Sequence, residues 1–571
     1  MEQRVTLVEQ LAKSRQPFRE MDVVYLVSPT VDSANLISAD YENDKKSKYG
    51  YAHIYFLDLA GDDVVEIIQR NGNLCSKIKT FKEINLDFLS SESNVFHFDM
   101  PLTLPRLLGH APDPNCPKIL GEKLATNCIT LNEFPCIRYQ TSSRFATEMA
   151  TTVVKILSDF KQSNSGWWCN GEGEHQSRER GSLLLLDRSF DPISPLMHEY
   201  TYQTMVNDLL PIKDSVISYK AEQNKGSVEK KVLLNENDEL WVELRHFHIA
   251  KVIEIIKERM ADIIQNNAGA ALHKNSGSDM SITKMAAAVK ELPEYRETMT
   301  KLGQHVNIAQ QCMDAFHKLG LMDISQLEQT MSTGVDEDGK ECKGQDLVQM
   351  LGEALSNQQM PKVMKIRLLA IFIMSQRNTS AEDRGSLTRA AGLTGAEQQI
   401  LLNFEKLGST LQTASTDKKK GGKLMSMFRG SAAPKHAATA EGDYADTRHV
   451  CRLKILLEQL MNNELPSADF GSSGPSAGGA GDSKSAAKSV RRYGANSRWG
   501  RRDQTMFSGG RMMVFIAGGV AYNELRTGHD LMTQHTKEVV IGGSHIISPS
   551  AYVHDVAALH PSSIAAMDLF L

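Results

Sequence analysis

The sequence predicts an α/β protein interrupted by a large helical insertion. Three observations predict it. The stretch Ser182–Ile212, SLLLLDRSFDPISPLMHEYTYQTMVNDLLPI, sets four leucines, Leu183–Leu186, ahead of a cluster of charges and prolines. An apolar run without alternation marks a parallel strand buried on both faces. Strand and helix patterns alternate on both sides of that run, the rhythm of βαβ units. Helical periodicity takes over near Asp238, and strand patterns return only after residue 510.

Taken in order, Met1–Arg15 (MEQRVTLVEQLAKSR) reads as an amphipathic helix start. It has early charges and no apolar h-region, so it is not a signal peptide. Asp22–Ser28 and His53–Asp58 read as strands, and Asp62–Arg70 as the helix after the second. Val95–Asp99 is a strand, Glu148–Phe160 lies in a helix, and Leu183–Leu186 follows. Asp187, Arg188, Asp191, Pro192 and Pro195 then mark an ordered turn at the sheet's carboxyl edge.

From Asp238, Leu240, Trp241, Leu244, Phe247, Val252, Ile256, Met260 and Ile263 recur mostly at three- and four-residue spacings. This predicts one long amphipathic helix. Leu302, Val306, Met313 and Phe316 predict a second. The polar stretch Thr333–Gln345 breaks the pattern before Leu347, Met350, Leu351 and Leu355 resume it. This reads either as the tip of a projecting helical hairpin or as a solvated loop. Helices continue through Glu405. Residues 412–446 are low-complexity and basic, and residues 466–489 are rich in Ser, Gly and Ala, as in surface loops. Arg491, Arg492, Arg498, Arg501 and Arg502 surround Tyr493 and Trp499, a set that suits phosphate or anionic lipid, or a plain solvated loop. Arg511–Val520 and Glu538–Ser544 are strands again, and they are expected to complete the sheet of residues 88–220.

At 571 residues the chain holds roughly three to four domains. A net charge of −5 argues against a nucleic-acid protein driven by global charge. Eight cysteines without CxxC spacing read as reduced thiols, neither a disulfide framework nor a zinc site. No apolar run approaches the roughly 18 residues a membrane span needs, so any membrane role comes through partners.

A search for chemistry finds little. There is no GxxxxGK[ST] and no GxSxG. Gly518-Gly519 after a strand is a tight turn or, less simply, a phosphate cradle. His198-Glu199 begins HExxH, but Tyr202 stands where the second His is needed. His246 and His248, two apart, face different sides of a helix. Asp187, Asp191 and Arg188 read first as a structural pair and helix cap, second as paired carboxylates with a cation. The chain is read as a non-enzyme without cofactor. The alternative kept beside it is an α/β enzyme binding a nucleotide at Gly518-Gly519.

The signature Leu183–Ile212 resembles the Sec/Munc (SM) family, the syntaxin-binding proteins of vesicle fusion. Further segments resemble it in the same order: Ala52–Asp58 (AHIYFLD), Lys79–Phe88 (KTFKEINLDF), Asp238–Ala250 (DELWVELRHFHIA), Leu292–Met313, Phe515–Glu524 (FIAGGVAYNE) and Ile541–Pro549 (IGGSHIISP). The resemblance covers nearly the whole chain and is strongest to the exocytic, Munc-eighteen-like branch. It implies a three-domain arch with two parallel-sheet α/β domains and a mostly helical third. The expected division is 1–87 for domain one, expected to lack the family's first strand-helix unit, and 88–220 with 465–571 for domain two. Residues 221–362 form helical part three a, with its hairpin near 333–345. Residues 363–464 form part three b, with the basic loop 412–446.

The resemblance also implies function. A closed syntaxin helical bundle is held in a cavity between domains one and three, where Glu9 and Arg15 align with contact residues. Without the alignment those two are ordinary helix-surface charge. A syntaxin N-terminal peptide is held by Val65, Ile78, Phe81 and Glu83. Ile78 and Phe81 also suit plain strand core. The hairpin, tip Lys343-Gly344-Gln345, is implied in assembling the SNARE bundle, with assembled SNAREs and the vesicle SNARE as further partners. A SNARE chaperone of vesicle docking and exocytosis is expected, cytoplasmic and peripherally recruited. An SM protein of endosomal or Golgi traffic is the alternative within the family.

Overall fold

A computed structural model describes residues 5–43, 47–168, 179–223, 226–274, 293–342, 344–376, 379–409, 448–474, 490–492, 506–508 and 510–569. The first unit alternates β1 (Val23–Val27), α1 (Val31–Ala39), β2 (Ala52–Phe56), α2 (Asp62–Arg70), α3 (Gly72–Lys77) and β3 (Ile78–Glu83). Its three strands lie side by side in that order, all parallel. α1 starts at Thr30, whose hydroxyl accepts the Ser33 amide at 3.1 Å. α2 carries Asp62 and Asp63 in its first turn and Arg70 in its last, as the helix dipole favours. Ala34 and Ile37 from α1, and Val64 and Ile68 from α2, bury Tyr25, Ile54 and Phe56 of the sheet. The expected helix at the N-terminus does not form over residues 5–10. Val5, Leu7 and Val8 are exposed there, and a short helix that buries no apolar face is marginal in water.

The chain continues with β4 (Leu89–Glu92), β5 (Val95–His97), α4 (Thr103–Leu108), α5 (Cys116–Thr130), β6 (Cys136–Gln140), α6 (Arg144–Ser163) and β7 (Ser182–Asp187). α7 (Tyr202–Leu209) and a small antiparallel sheet of β8 (Ile212–Lys213), β9 (Val216–Gln223) and β10 (Gly226–Leu233) follow. Next come α8 (Glu239–Leu244), α9 (Ile249–Lys274), α10 (Pro293–Leu319), α11 (Leu321–Thr333), α12 (Gly344–Leu355), α13 (Lys362–Ser375), α14 (Ala381–Ala391), α15 (Gly395–Ser409) and α16 (Arg452–Met461). The last elements are β11 (Phe470–Ser473), β12 (Val490–Arg492), β13 (Met506–Ser508), β14 (Met512–Ala517), β15 (Val520–Ala521), α17 (Tyr522–His535), β16 (Val539–Gly543), β17 (Ile546–Ile547) and α18 (Pro549–Ala557).

The main sheet has seven strands in the order β11-β6-β7-β14-β16-β5-β4. The expectation that the C-terminal strands join the earlier ones holds, since β14 lies directly beside β7 and parallel to it. Leu183 and Leu185 face a core built with α5 and α6, and Leu184 and Leu186 face a second core with α16 and α17. Burial on both faces is the reason four leucines follow one another.

The helical insertion departs from the sequence reading twice. The single helix expected from Asp238 is two, α8 and α9, with a turn at Arg245–His248. Tyr202 and Gln203 amides donate to the carbonyls of Phe247 and Arg245 at 3.0 and 2.9 Å, and the Ile249 amide donates to Tyr200 at 2.8 Å. Both helices face the same core, so their apolar periodicity runs across the break.

The second departure is the projecting hairpin expected at 333–345. α11 is buried at Leu321, Ile324, Leu327, Glu328 and all of Gln329–Thr333, so it is core. A short β-bridge between Val335 and Glu341 closes the turn after it. Among the described residues the two longest helices, α9 of 26 residues and α10 of 27, pack on each other instead. A polar interruption signals a loop but not whether its flanking helices are covered. Gly344 and Gln345 are exposed at the start of α12, while Lys343 lies outside the described residues, as do 412–446, most of 466–489 and Arg498, Arg501 and Arg502. Among the described residues no helix is long and apolar enough to cross a membrane.

Candidate functional site

The signature turn is structural. Arg188 is fully buried and meets Glu524 with two bonds, Nη1 to Oε2 at 2.8 Å and Nη2 to Oε1 at 2.6 Å. It also donates to the carbonyls of Gly519 and Asp191 and lies over the Phe190 ring. Glu524 accepts the Ala521 amide as well, so it holds the start of α17. Asp187 Oδ1 accepts the Ser189 amide at 2.9 Å, and Asp191 accepts the Ile193, Ser194 and Arg452 amides. Burial alone would raise the Asp191 carboxyl, but His449 and Arg188 outweigh it and hold it below its ordinary value. The Pro192 carbonyl accepts the Tyr552 hydroxyl, and Pro195 lies in a single buried turn, Ser194–Leu196. The sequence pointed to a pair for Arg188 but not to Glu524, which lies 336 residues away.

Gly518 and Gly519 have φ of +96° and +101°. A Cβ at Gly519 would sit 2.6 Å from Ile547 Cγ2, and one at Gly518 3.0 Å from Arg188 Cβ. Positive φ and this close packing both call for glycine at these positions, as a tight turn does. Beside it runs a chain that the sequence did not reveal. Ser544 Oγ accepts the Gly518 amide at 3.2 Å and meets His545 Nδ1 at 3.0 Å, while His545 Nε2 meets Asp555 at 3.0 Å. Ser544 is fully buried. Its hydroxyl ties the turn together and reaches no solvent.

The first unit carries the two aligned surface sets, and the structure treats them differently. Glu9 is exposed. Arg15 turns inward: its side chain is 6% exposed and its Nη2 lies 2.8 Å from Asp40 Oδ2. Asp40 also accepts the Tyr25 hydroxyl and Lys48 at 2.8 and 2.9 Å. Arg15 is therefore neither an open contact nor helix-surface charge, but one of two cations, with Lys48, that meet the buried Asp40.

Val65, Ile78, Phe81 and Glu83 lie on neighbouring elements, α2 and β3, at the last strand of the sheet. Phe81 is 40% exposed, with its ring edge-on to Phe56 at 5.5 Å. Ile78 is half-buried against the core and Val65 half-buried on α2. Glu83 Oε1 accepts the Ala60 amide at 2.9 Å, which fixes its carboxylate at the rim. Leu59 is exposed beside it in sequence, ahead of Asp62 and Asp63. An open aromatic, apolar rims and fixed acids suit a short peptide with one apolar anchor and a basic neighbour. This unit leans on α5 through Thr126 to Asp58 at 3.1 Å, and through Lys123 with Asp87.

A family model described as the Sec1 family matches residues 1–555. The chain belongs to the Sec1 family. Among its relatives, "Protein transport protein sec1" of Dictyostelium discoideum is 31% identical, over 98% of this chain and 91% of its own length. "SNARE-interacting protein KEULE" of Arabidopsis thaliana is 27% identical, over 99% of this chain and 89% of its own. The structure of the Unc18-syntaxin 1 complex from Monosiga brevicollis superposes with a TM-score of 0.78 at 24% identity, covering 97% of this chain and 91% of that one. The Sec1 fold is thus the α/β arrangement with a helical insertion described above. Within this Sec1-family chain the signature turn serves the fold, and the open surfaces of the first unit are the candidates for partners.

Proposed function

We propose that this chain is an SM-type SNARE regulator of the exocytic branch that binds a syntaxin and gates SNARE assembly during vesicle docking and fusion. Membership of the Sec1 family along nearly the whole length carries this reading. The division is that of three domains: 1–87, then 88–220 with 465–571, then the helices between. A closed syntaxin bundle occupies the space between domains one and three, with Glu9 among its contacts and Arg15 supporting that region from within. Val65, Ile78, Phe81 and Glu83 take the syntaxin N-terminal peptide. The SNARE-assembly hairpin is the pair α9 and α10, in place of the Gly344-Gln345 turn. The protein acts by differential affinity for closed and open syntaxin, not by covalent chemistry. It works in the cytoplasm and reaches membranes through its partners.

Calorimetric titration with the cytosolic part of a syntaxin, with and without its N-terminal peptide, tests this. The expected result is 1:1 binding that weakens about tenfold on peptide removal and on Glu83→Lys, the size of one lost charge contact made repulsive. Equal affinity in all three titrations removes Glu83 and its neighbours from the peptide site. Absence of binding by folded protein to every syntaxin tried removes the function itself. Preference for a syntaxin of endosome or Golgi moves the chain to that branch.

A further inference from the structure

The turn Arg245–His248 is where the long helix α9 begins, and it is held from two sides. Its backbone is bonded to Tyr200–Gln203, as described above. On its other side His246 lies flat on His529 of α17, with ring centres 4.3 Å apart and planes 23° apart. The His246 side chain is almost wholly enclosed. Its Nε2 accepts a hydrogen bond from Arg245 Nε at 3.2 Å. A guanidinium is always charged and only donates. That nitrogen must therefore keep its lone pair, and the proton of the neutral ring sits on Nδ1. A protonated ring would set N–H against N–H.

The charged groups around the stack come from four elements. Arg245 is paired with Glu236 at 2.5 Å and with Glu92 of β4 at 3.2 Å. Glu92 Oε2, the oxygen paired with Arg245, also stands 3.7 Å from His246 Nε2, while its Oε1 accepts from Gln203 at 2.6 Å. Arg526 and Asp530 come from α17 and pair at 3.5 Å. Glu199, ahead of α7, faces Arg526. The two guanidiniums oppose a further positive charge. Burial foremost, then the neighbouring imidazole and guanidiniums, hold His246 well below the ordinary imidazole value, and burial lowers His529 as well.

We propose that the His246–His529 stack is an acid-sensitive latch at the root of α9. With both rings neutral it seats the Arg245–His248 turn on α17. Protonation of both rings breaks the Arg245–His246 bond and sets two cations face to face, and the turn loosens from α17 while its backbone bonds to Tyr200–Gln203 remain. The open state binds more protons than the closed one, so the latch is shut above about pH 6.5 and loosens as pH falls through that value. This device is independent of which partner the chain binds.

Hydrogen exchange of the full chain at about pH 7.5 and about pH 5.5, corrected for intrinsic rates, reads it directly. Peptides over 245–252 should open about tenfold more at the lower pH, the effect of one pH unit of titration, while 512–517 stays unchanged. His246→Gln keeps an acceptor for Arg245 and cannot protonate. His529→Phe keeps a stacked ring without a proton. Either should reduce the response of 245–252, and the double variant His246→Gln/His529→Phe should cut it to under about threefold. The same response in the wild type and both variants overturns the latch, as does an even rise along the chain. Should a variant not fold at about pH 7.5, exchange of the imidazole C2 proton in the wild type decides. Titration of His246 at or above the ordinary value overturns the proposal, and titration below it supports it.

Discussion

Arg188 is a large, fully buried side chain whose charge is met by one carboxylate, Glu524, and two backbone carbonyls. Removing a single partner of such a pair leaves the other charge uncompensated in a dry site. Glu524→Gln is therefore expected to cost roughly 3–5 kcal/mol, read as a fall in the urea midpoint by circular dichroism. A change under about 0.5 kcal/mol, the ordinary size for a surface substitution, would mean that water reaches the pair. Replacing both Arg188 and Glu524 with apolar residues should cost less than the single change. The need for a partner was legible, because charges ending a four-leucine strand have no solvent to turn to. The partner's identity was not, because chain distance carries no information about which helix start folds back. The same blindness hid Arg15. Its charge reads as surface in a helix, and only the tertiary placement of Asp40 turns it inward.

At the scale of elements, strands were legible and helix boundaries less so. β7 shows itself because burial on both faces forces an unbroken apolar run. α8 and α9 read as one helix because a break that keeps both pieces on one core leaves the periodicity intact. α11 was misread as part of an arm for a related reason: its polar residues Gln329, Thr330, Ser332 and Thr333 look solvated but are buried. Gln329 takes the Arg448 and His449 amides at 3.0 and 2.6 Å, which satisfies it inside the fold. If α11 is core, Leu327→Ala should destabilise by about 2–5 kcal/mol through lost burial and a residual cavity. Met322→Ala, at a position 59% exposed, should stay within about 0.5 kcal/mol. Similar small effects at both positions would return α11 to a projecting arm.

At the scale of the molecule, the decisive feature is that the sheet is built from two distant stretches of chain. The central pair, β7 and β14, joins residues that the whole helical insertion separates. Its two cores each draw on both stretches, with Leu185 against Phe515 on one side and Leu186 with Ile516 on the other. A break in the insertion should therefore leave the molecule assembled. A protease site introduced at Gly421-Gly422 is expected to give two fragments that co-elute from a sizing column and separate only in denaturant. The C-terminal fragment supplies β14, β16, Glu524 and the Arg452 amide, so every contact of the signature turn still closes across the cut. Deleting residues 510–571 instead strips β14 from β7. That exposes an apolar strand edge able to pair with another chain, and aggregation is the expected result. Fragments that part in native buffer, or a deleted chain that stays monomeric, would mean that the two stretches fold as separate sheets and that the shared core is not what holds them.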